Sequence, residues 1–234
     1  MPIDFHTHIL PGIDDGSKNN AMSLEMLAAQ GKAGVEEIIA TPHFYAQKDT
    51  VDAFLLRRQQ SYEQLKRAME EQNAGVKKIG LAAEVYYFQG IGTAKMVPEL
   101  CVEGTHTLLL ELPFAQWNST IYADVERLVH REGITVVLAH IERYYPFQKN
   151  KKVWNAVMEL PLYKQMNAGA FLDWKRRHRA LELAKAAGTI LLGSDCHNMD
   201  TRRPNLAEGR AVLQKKLGTA FVGQCDKLAE EVLR

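Results

Sequence analysis

Two histidines one residue apart stand near the start of the chain, in DFHTHILPGIDDG. Residues i and i+2 of a strand face the same side, about 6–7 Å apart along the backbone, so His6 and His8 can reach one cation. Pro11, Gly12 and Gly16 favour turns that return Asp14 or Asp15 towards the two imidazoles. GSDCHN repeats the spacing: Asp195 and His197 share a side, while Cys196 between them faces the other. Imidazoles and carboxylates without thiolates suit Mn2+, Fe or Zn2+ over softer ions.

These side chains need elements that bring them together. Short apolar runs at 3–8, 36–41, 77–84, 107–111, 135–140, 163–167 and 189–195 read as strands. Helical spacing fills 20–32, 53–72, 121–131, 152–160, 175–187 and 206–216. Parallel neighbours require crossover connections, so this alternation predicts a parallel sheet. Seven runs suit a closed or nearly closed (βα) barrel, with a doubly wound open sheet as the competing arrangement. A polar side chain ends or closely follows each run: His6 and His8, His43, Glu84, Glu111, His140, Asn167, then Asp195 with His197. Barrel enzymes gather their chemistry at the C-terminal ends of their strands, so these residues are expected on one rim.

Nine candidate ligands result: His6, His8, Asp15, His43, Glu84, Glu111, His140, Asp195 and His197. That is too many for one or two ions unless waters are few, and three ions with bridging carboxylates fit better. Three divalent ions and four carboxylates leave about +2, a charge that favours a phosphate dianion and a metal-bound hydroxide. His106, His130 and His178 fall outside the pattern and read as surface residues. Cys196 and Arg202 satisfy C-x5-R, the spacing of cysteine-dependent phosphatases. That chemistry needs a loop of convergent backbone N–H groups, usually helped by glycine, and the intervening HNMDT has none. The match is coincidental.

Composition bounds the rest. The chain has 234 residues, 46% hydrophobic and 24% charged, with 29 basic and 28 acidic side chains. One domain over 1–234 is expected, and the near-neutral charge argues against a nucleic-acid partner. No run of 18 apolar residues is present, which excludes a spanning helix of ordinary length. MPIDFHTHILPG has no signal-peptide pattern, and the three cysteines, Cys101, Cys196 and Cys225, form no disulfide framework. A cytoplasmic location is the expectation.

DFHTHILPGIDDG, ATPHF, AAEVYY, LLELPF, AHIERY, QMNAGAF and GSDCHN, taken together and in this order, resemble the polymerase-and-histidinol-phosphatase (PHP) superfamily. More closely, they resemble its CpsB/CapC branch of metal-dependent protein-tyrosine phosphatases. The resemblance covers nearly the whole chain. It implies an α/β fold, a distorted seven-stranded (βα)7 TIM-like barrel, and three metal ions, commonly Mn2+. It also implies a substrate: the phosphotyrosine-bearing tail of a bacterial tyrosine kinase of capsule or exopolysaccharide export. Carried over by residue, it puts His6, His8, Glu84 and Asp195 around one ion. Asp15, His43 and His197 then hold a second, and Glu84, Glu111 and His140 a third. Arg143 and Arg202 match the family's two phosphate-binding arginines, although Arg203 stands beside Arg202 where the pattern reads Gly-Arg-Pro.

The expected reaction is in-line attack of a metal-bridging hydroxide on a phosphotyrosine monoester. His43 or a metal-bound water is the candidate proton donor. Tyr86, Tyr87, Phe88, Tyr144 and Tyr145 follow strand ends and could line a pocket for the ring. A histidinol-phosphate phosphatase on the same core is the nearest alternative; a metal-dependent nuclease and a non-catalytic regulatory module are more distant.

Overall fold

The computed structural model describes residues 2–72 and 75–234. Its strands are short, and every named pairing is parallel. They are β1 (Ile3–Thr7), β2 (Glu37–Ala40), β3 (His43–Phe44), β4 (Lys78–Leu81), β5 (Glu84–Tyr86), β6 (Thr107–Glu111), β7 (Thr135–Leu138), β8 (Tyr163–Asn167) and β9 (Leu191–Gly193). One sheet has the order β1-β2-β4, the other β3-β5-β6-β7-β8-β9. Nine strands replace the seven expected because two runs, 36–41 and 77–84, continue after an interruption into a second short strand. Pro42, which has no N–H to give a ladder, separates β2 from β3, and Ala82–Ala83 separates β4 from β5. Each interrupted run thus serves both sheets. A parallel bridge from Thr7 to Cys196 joins the first strand to the segment after the last. Across it the Asp195 N–H donates to His6 O at 2.8 Å and the His8 N–H to Cys196 O at 2.9 Å.

Strands buried on both faces read as unbroken apolar runs, and TLLLE of β6 and VVL of β7 do so. Helices cover the outside: α1 (Asn20–Lys32), α2 (Val51–Gln72), α3 (Ser119–Val129), α4 (Ile141–Tyr144), α5 (Lys151–Glu159), α6 (Arg177–Ala187), α7 (Leu206–Leu217) and α8 (Thr219–Val232). Asn19, Asn118 and Asn150 start α1, α3 and α5 by accepting hydrogen bonds from first-turn N–H groups. The sequence reading omitted α8, whose Val222, Cys225, Leu228, Ala229 and Val232 lie on one buried face. Between β5 and β6 the crossover contains two 3₁₀ turns, Ile91–Thr93 and Val97–Leu100. Among the described residues no helix is long and apolar enough to cross a membrane.

Two local features set the stage for the site. The β1–β2 register shifts between Asp4 and Thr7, the stretch that carries His6. Gly193 closes the β1–β9 seam: a Cβ there would lie 2.5 Å from His6 Cβ and 2.9 Å from Gln165 Nε2. Only glycine permits that approach.

Candidate metal centre

The strand ends bring all nine candidate ligands into one cluster. His6 Nε2 and His8 Nε2 lie 3.1 Å apart, both aimed at Glu84 and Asp195. Glu84 Oε2 is 3.2 Å from His6 Nε2 and 3.3 Å from His8 Nε2, and Asp195 Oδ1 is 3.6 and 3.5 Å from them. Bonds of about 2.0–2.2 Å to a shared ion place neighbouring ligand atoms roughly 3–3.5 Å apart, so this spacing fits a coordination shell. A second corner forms where Asp15 Oδ1 lies 3.3 Å from His43 Nε2 and 3.4 Å from His197 Nε2. At a third, His140 Nε2 is 2.8 Å from Glu84 Oε1 and 3.4 Å from Glu111 Oε1. His43 reaches this corner as well, with Nδ1 2.9 Å from Glu84 Oε2. Groups of donors close enough to hold an ion include His6–His8–Asp195, His8–Asp15–His43–His197 and His43–Glu84–Glu111.

A layer of uncharged and acidic partners aims these ligands. His6 Nδ1–H donates to Gln165 Oε1 at 3.2 Å, which leaves the Nε2 lone pair for a cation. The same oxygen accepts the His140 backbone N–H at 2.6 Å. Gln165 Nε2 donates to Asn167 Oδ1, and Asn167 Nδ2 donates to Asp195 Oδ2 at 2.8 Å. Residues of β8 therefore align a histidine of β1, the residue after β7 and the carboxylate after β9. Asp14 does for His8 what Gln165 does for His6, accepting from Nδ1 at 2.7 Å and also from the His43 N–H at 3.0 Å. This separates the two aspartates left open by the sequence: Asp14 orients and Asp15 faces the cluster. Gln165 was missed there. It shares the face of the strand-end Asn167 two residues on, but an uncharged amide inside a strand does not stand out.

The electrostatics are those of a centre built for cations. Glu84, Glu111 and Asp195 are buried, and unpaired carboxylates so placed would cost several kcal/mol each. Burial pushes Glu84 up, but the imidazoles of His6, His140 and His43 outweigh it and hold the carboxyl well below its usual range. Asp195 is likewise held low against burial, by His6 and His8. Burial works against protonating His8, yet Asp14 and Glu84 raise it to about 9. His140 is raised to about 9 by Glu111 and Glu84, and His43 to about 11 by Asp15 and Glu84, again against burial. His197 is driven the other way, to about 3, by burial and by its neighbour His8. Protons on imidazole occupy the electrostatic role that ions would fill. Even so, Glu84 Oε2, His43 Nδ1 and His197 Nε2 are buried without a hydrogen bond. Ligand atoms without hydrogen bonds, converging on one cluster of imidazoles and carboxylates, fit a metal centre.

The arginines stand at the mouth. Arg143 Nη1 is 3.2 Å from Asp195 Oδ2, and Arg202 Nη2 is 2.7 Å from Asp195 Oδ1. Arg203 is exposed, and it is Arg202 that meets the cluster. The aromatics divide. The Tyr86 ring lies tilted 5.6 Å from that of Tyr45, and Tyr45 lies 5.4 Å from His43, so this pair lines the mouth. Tyr144 does not: it is fully buried, its hydroxyl accepting from the Leu112 N–H. Tyr87 is turned onto Asp124. Cys196 is fully buried with its thiol pushed up by burial and by Asp4, so it is no nucleophile. His106, His130 and His178 are exposed and outside the cluster.

A parallel α/β fold with polyvalent cation ligands at its strand ends defines a metal-binding class. Within it, the chain belongs to the CpsB/CapC capsular polysaccharide synthesis family, whose model matches residues 2–230. It is 26% identical over 239 residues to the tyrosine-protein phosphatase YwqE of Bacillus subtilis, covering 99% of this chain and 91% of that protein. It is 27% identical over 227 residues to the tyrosine-protein phosphatase CpsB of Streptococcus pneumoniae, covering 92% and 91%. Its fold matches a chain from the crystal structures of YwqE and CpsB, described as unique metal-dependent tyrosine phosphatases. That match has a TM-score of 0.86 and 25% identity, and covers 100% of this chain and 94% of the other.

Proposed function

We propose that the chain is a metal-dependent protein-tyrosine phosphatase acting on a bacterial tyrosine kinase of capsule or exopolysaccharide synthesis. The observation that carries this reading is the convergence of nine ligand groups and two arginines on one mouth. His6, His8, Glu84 and Asp195 would hold one ion, Asp15, His43 and His197 a second, and Glu84, Glu111 and His140 a third. Mn2+ is the proposed occupant. Parallel strands joined by the Thr7–Cys196 bridge, with each interrupted run counted once, support a distorted seven-stranded (βα)7 barrel in one domain. The cytoplasm is the proposed location.

Divalent ions, when bound, acidify water and neutralise phosphoryl oxygens. The chain's own residues do the rest. Each guanidinium carries five donors, and the described bonds of Arg143 and Arg202 use one apiece, both on Asp195. The remaining N–H groups can bind phosphoryl oxygens by charge-assisted hydrogen bonds. Both nitrogens of His43 are turned onto carboxylates, which favours a ligand over a proton donor. Tyrosine leaves as a phenolate of pKa about 10 and needs only modest help. Tyr45 and Tyr86 offer ring surface beside the mouth for the substrate's ring.

The test is one panel: Mn2+-loaded protein against p-nitrophenyl phosphate, a phosphotyrosine peptide, histidinol phosphate and a phosphodiester. Turnover of the first two is expected. Histidinol phosphate turning over while phosphotyrosine stays inert refutes the reading.

A further inference from the structure

The balanced total charge hides a strong local imbalance. Residues 143–179 hold nine Lys and Arg against two Asp and Glu, a net +7 in a chain of net +1, so the other 197 residues carry −6. This stretch begins at the metal centre, because Arg143 touches Asp195. It returns there at β8, because Asn167 touches Asp195 too. Its two surface segments are joined through Tyr145: Lys151 Nζ lies 3.3 Å and the Arg179 guanidinium 5.2 Å from that ring. Lys149, Lys152, Lys175, Arg176 and Arg179 are exposed. Of these five, Arg176 alone faces a carboxylate among the described residues, Asp173 at 3.2 Å.

Large apolar side chains are exposed in the same stretch. Trp174 is 77% and Phe147 44% exposed. Phe147 is linked to the centre by rings: Phe114 lies 6.0 Å from Phe147, 5.6 Å from the His140 ring and 4.6 Å from the Arg143 guanidinium. Arg177 pins the Trp174 loop by donating to Phe171 O at 2.7 Å and Leu172 O at 3.2 Å. An exposed tryptophan on a tethered loop, with Lys175 Nζ 5.4 Å from its ring, is unusual for a surface with nothing to bind.

We propose that this surface docks an acidic, carboxylate-rich peptide stretch of the protein substrate, alongside the residue that enters the metal centre. The inference rests on the phosphatase reading for the word substrate, but not for the binding. Charge complementarity selects the occupant, and the aromatic anchors supply contact area beyond what exposed charge pairs give. It also distinguishes a protein substrate, which carries flanking residues, from a small phosphoester, which has none to offer this surface.

The experiment uses the full chain loaded with Mn2+ and the variant Lys149→Ser, Lys152→Ser, Lys175→Ser, Arg176→Ser, all at exposed positions. Fluorescence anisotropy follows a labelled glutamate-rich peptide with an unphosphorylated tyrosine, its neutral counterpart and a single-stranded oligonucleotide. The acidic peptide should bind, the neutral one should not, and the variant or added salt should weaken binding about tenfold. For an acid-flanked phosphotyrosine peptide, KM should rise by a similar factor with kcat and p-nitrophenyl phosphate turnover unchanged. Equal binding to both proteins, or none to either, overturns the proposal. So does an oligonucleotide that binds more tightly than the peptide and is lost in the variant. Inert phosphoesters with intact peptide binding would sink the phosphatase reading and leave the acidic-peptide surface standing.

Discussion

The His6–His8–Asp195 corner and the Asp15–His43–His197 corner lie side by side but are held differently. Every ligand of the inner corner is buried, and its aim is fixed by Gln165, Asp14 and Asn167. In the outer corner the carboxylate side chain of Asp15 is 65% exposed, and His43 is partly open beside Tyr45. Preorganised ligands lose little freedom when an ion arrives, whereas an exposed carboxylate without such a buried partner layer gives up more. The inner corner should therefore bind tightly and stay filled, and the outer corner should exchange.

Breaking the inner corner should have the largest effect. His6→Ala should lower the bound-metal count by one, read by elemental analysis, and reduce phosphatase turnover to background even in excess Mn2+. Gln165→Leu keeps every ligand but removes the acceptor for His6 Nδ1 and the His140 N–H. A loss of about 10–100-fold in metal affinity is expected, read by titration against a competing chelator. Asp15→Asn should lose less and, unlike His6→Ala, recover turnover as Mn2+ is raised. If both variants respond alike to added metal, the contrast between the corners is wrong.

A smaller, graded effect follows from pH. His8 and His140 are raised to about 9, and His43 to about 11, above an ordinary 6.5. The metal-free protein thus binds more protons than the unfolded chain between pH 6.5 and 9. The stability these three histidines contribute is fullest below 6.5 and is lost as pH rises through 9 to 11. His197, driven to about 3, contributes in the opposite sense below 6.5. Ion binding must expel those protons, so metal affinity climbs over the same interval. The thermal unfolding temperature should fall with pH over this interval in chelator and stay nearly flat with saturating ion. The smallest effect is expected at Cys196→Ser, which should keep most of its activity, because the thiol faces Gln30 and not the cluster.

Most candidate ligands were legible in the sequence because they end or closely follow an apolar run, with i and i+2 spacing setting the face, while Asp15 was reached through the turn residues of PGIDDG. The parallel α/β class was legible for the same reason. The interruption of two runs was not, since Ala82–Ala83 is as apolar as its flanks and only three-dimensional pairing reveals the change of sheet. The role of Gln165 was hidden because an uncharged amide in the middle of a strand gives no periodic signal. Its value comes from His6 and His140, which are far from it and from each other in the chain. Asp14 and Asp15 are adjacent, and only the turn decides which one faces the ions. The α8 helix had a readable face at Val222, Cys225, Ala229 and Val232, but its polar remainder and interior Gly223 diluted the pattern.

His140 and Asp195 are the non-glycine residues with left-handed backbone among those described, at φ 28° and 53°. Such conformations cost of order 1–3 kcal/mol each. In both residues the cost is borne by a side chain that faces the centre. A library of this protein selected only for survival on heating would therefore drift towards glycine at positions 140 and 195. It would return hardier proteins that no longer hold their metal. Selection for heat resistance in this fold has to be run with the ion requirement kept in the screen.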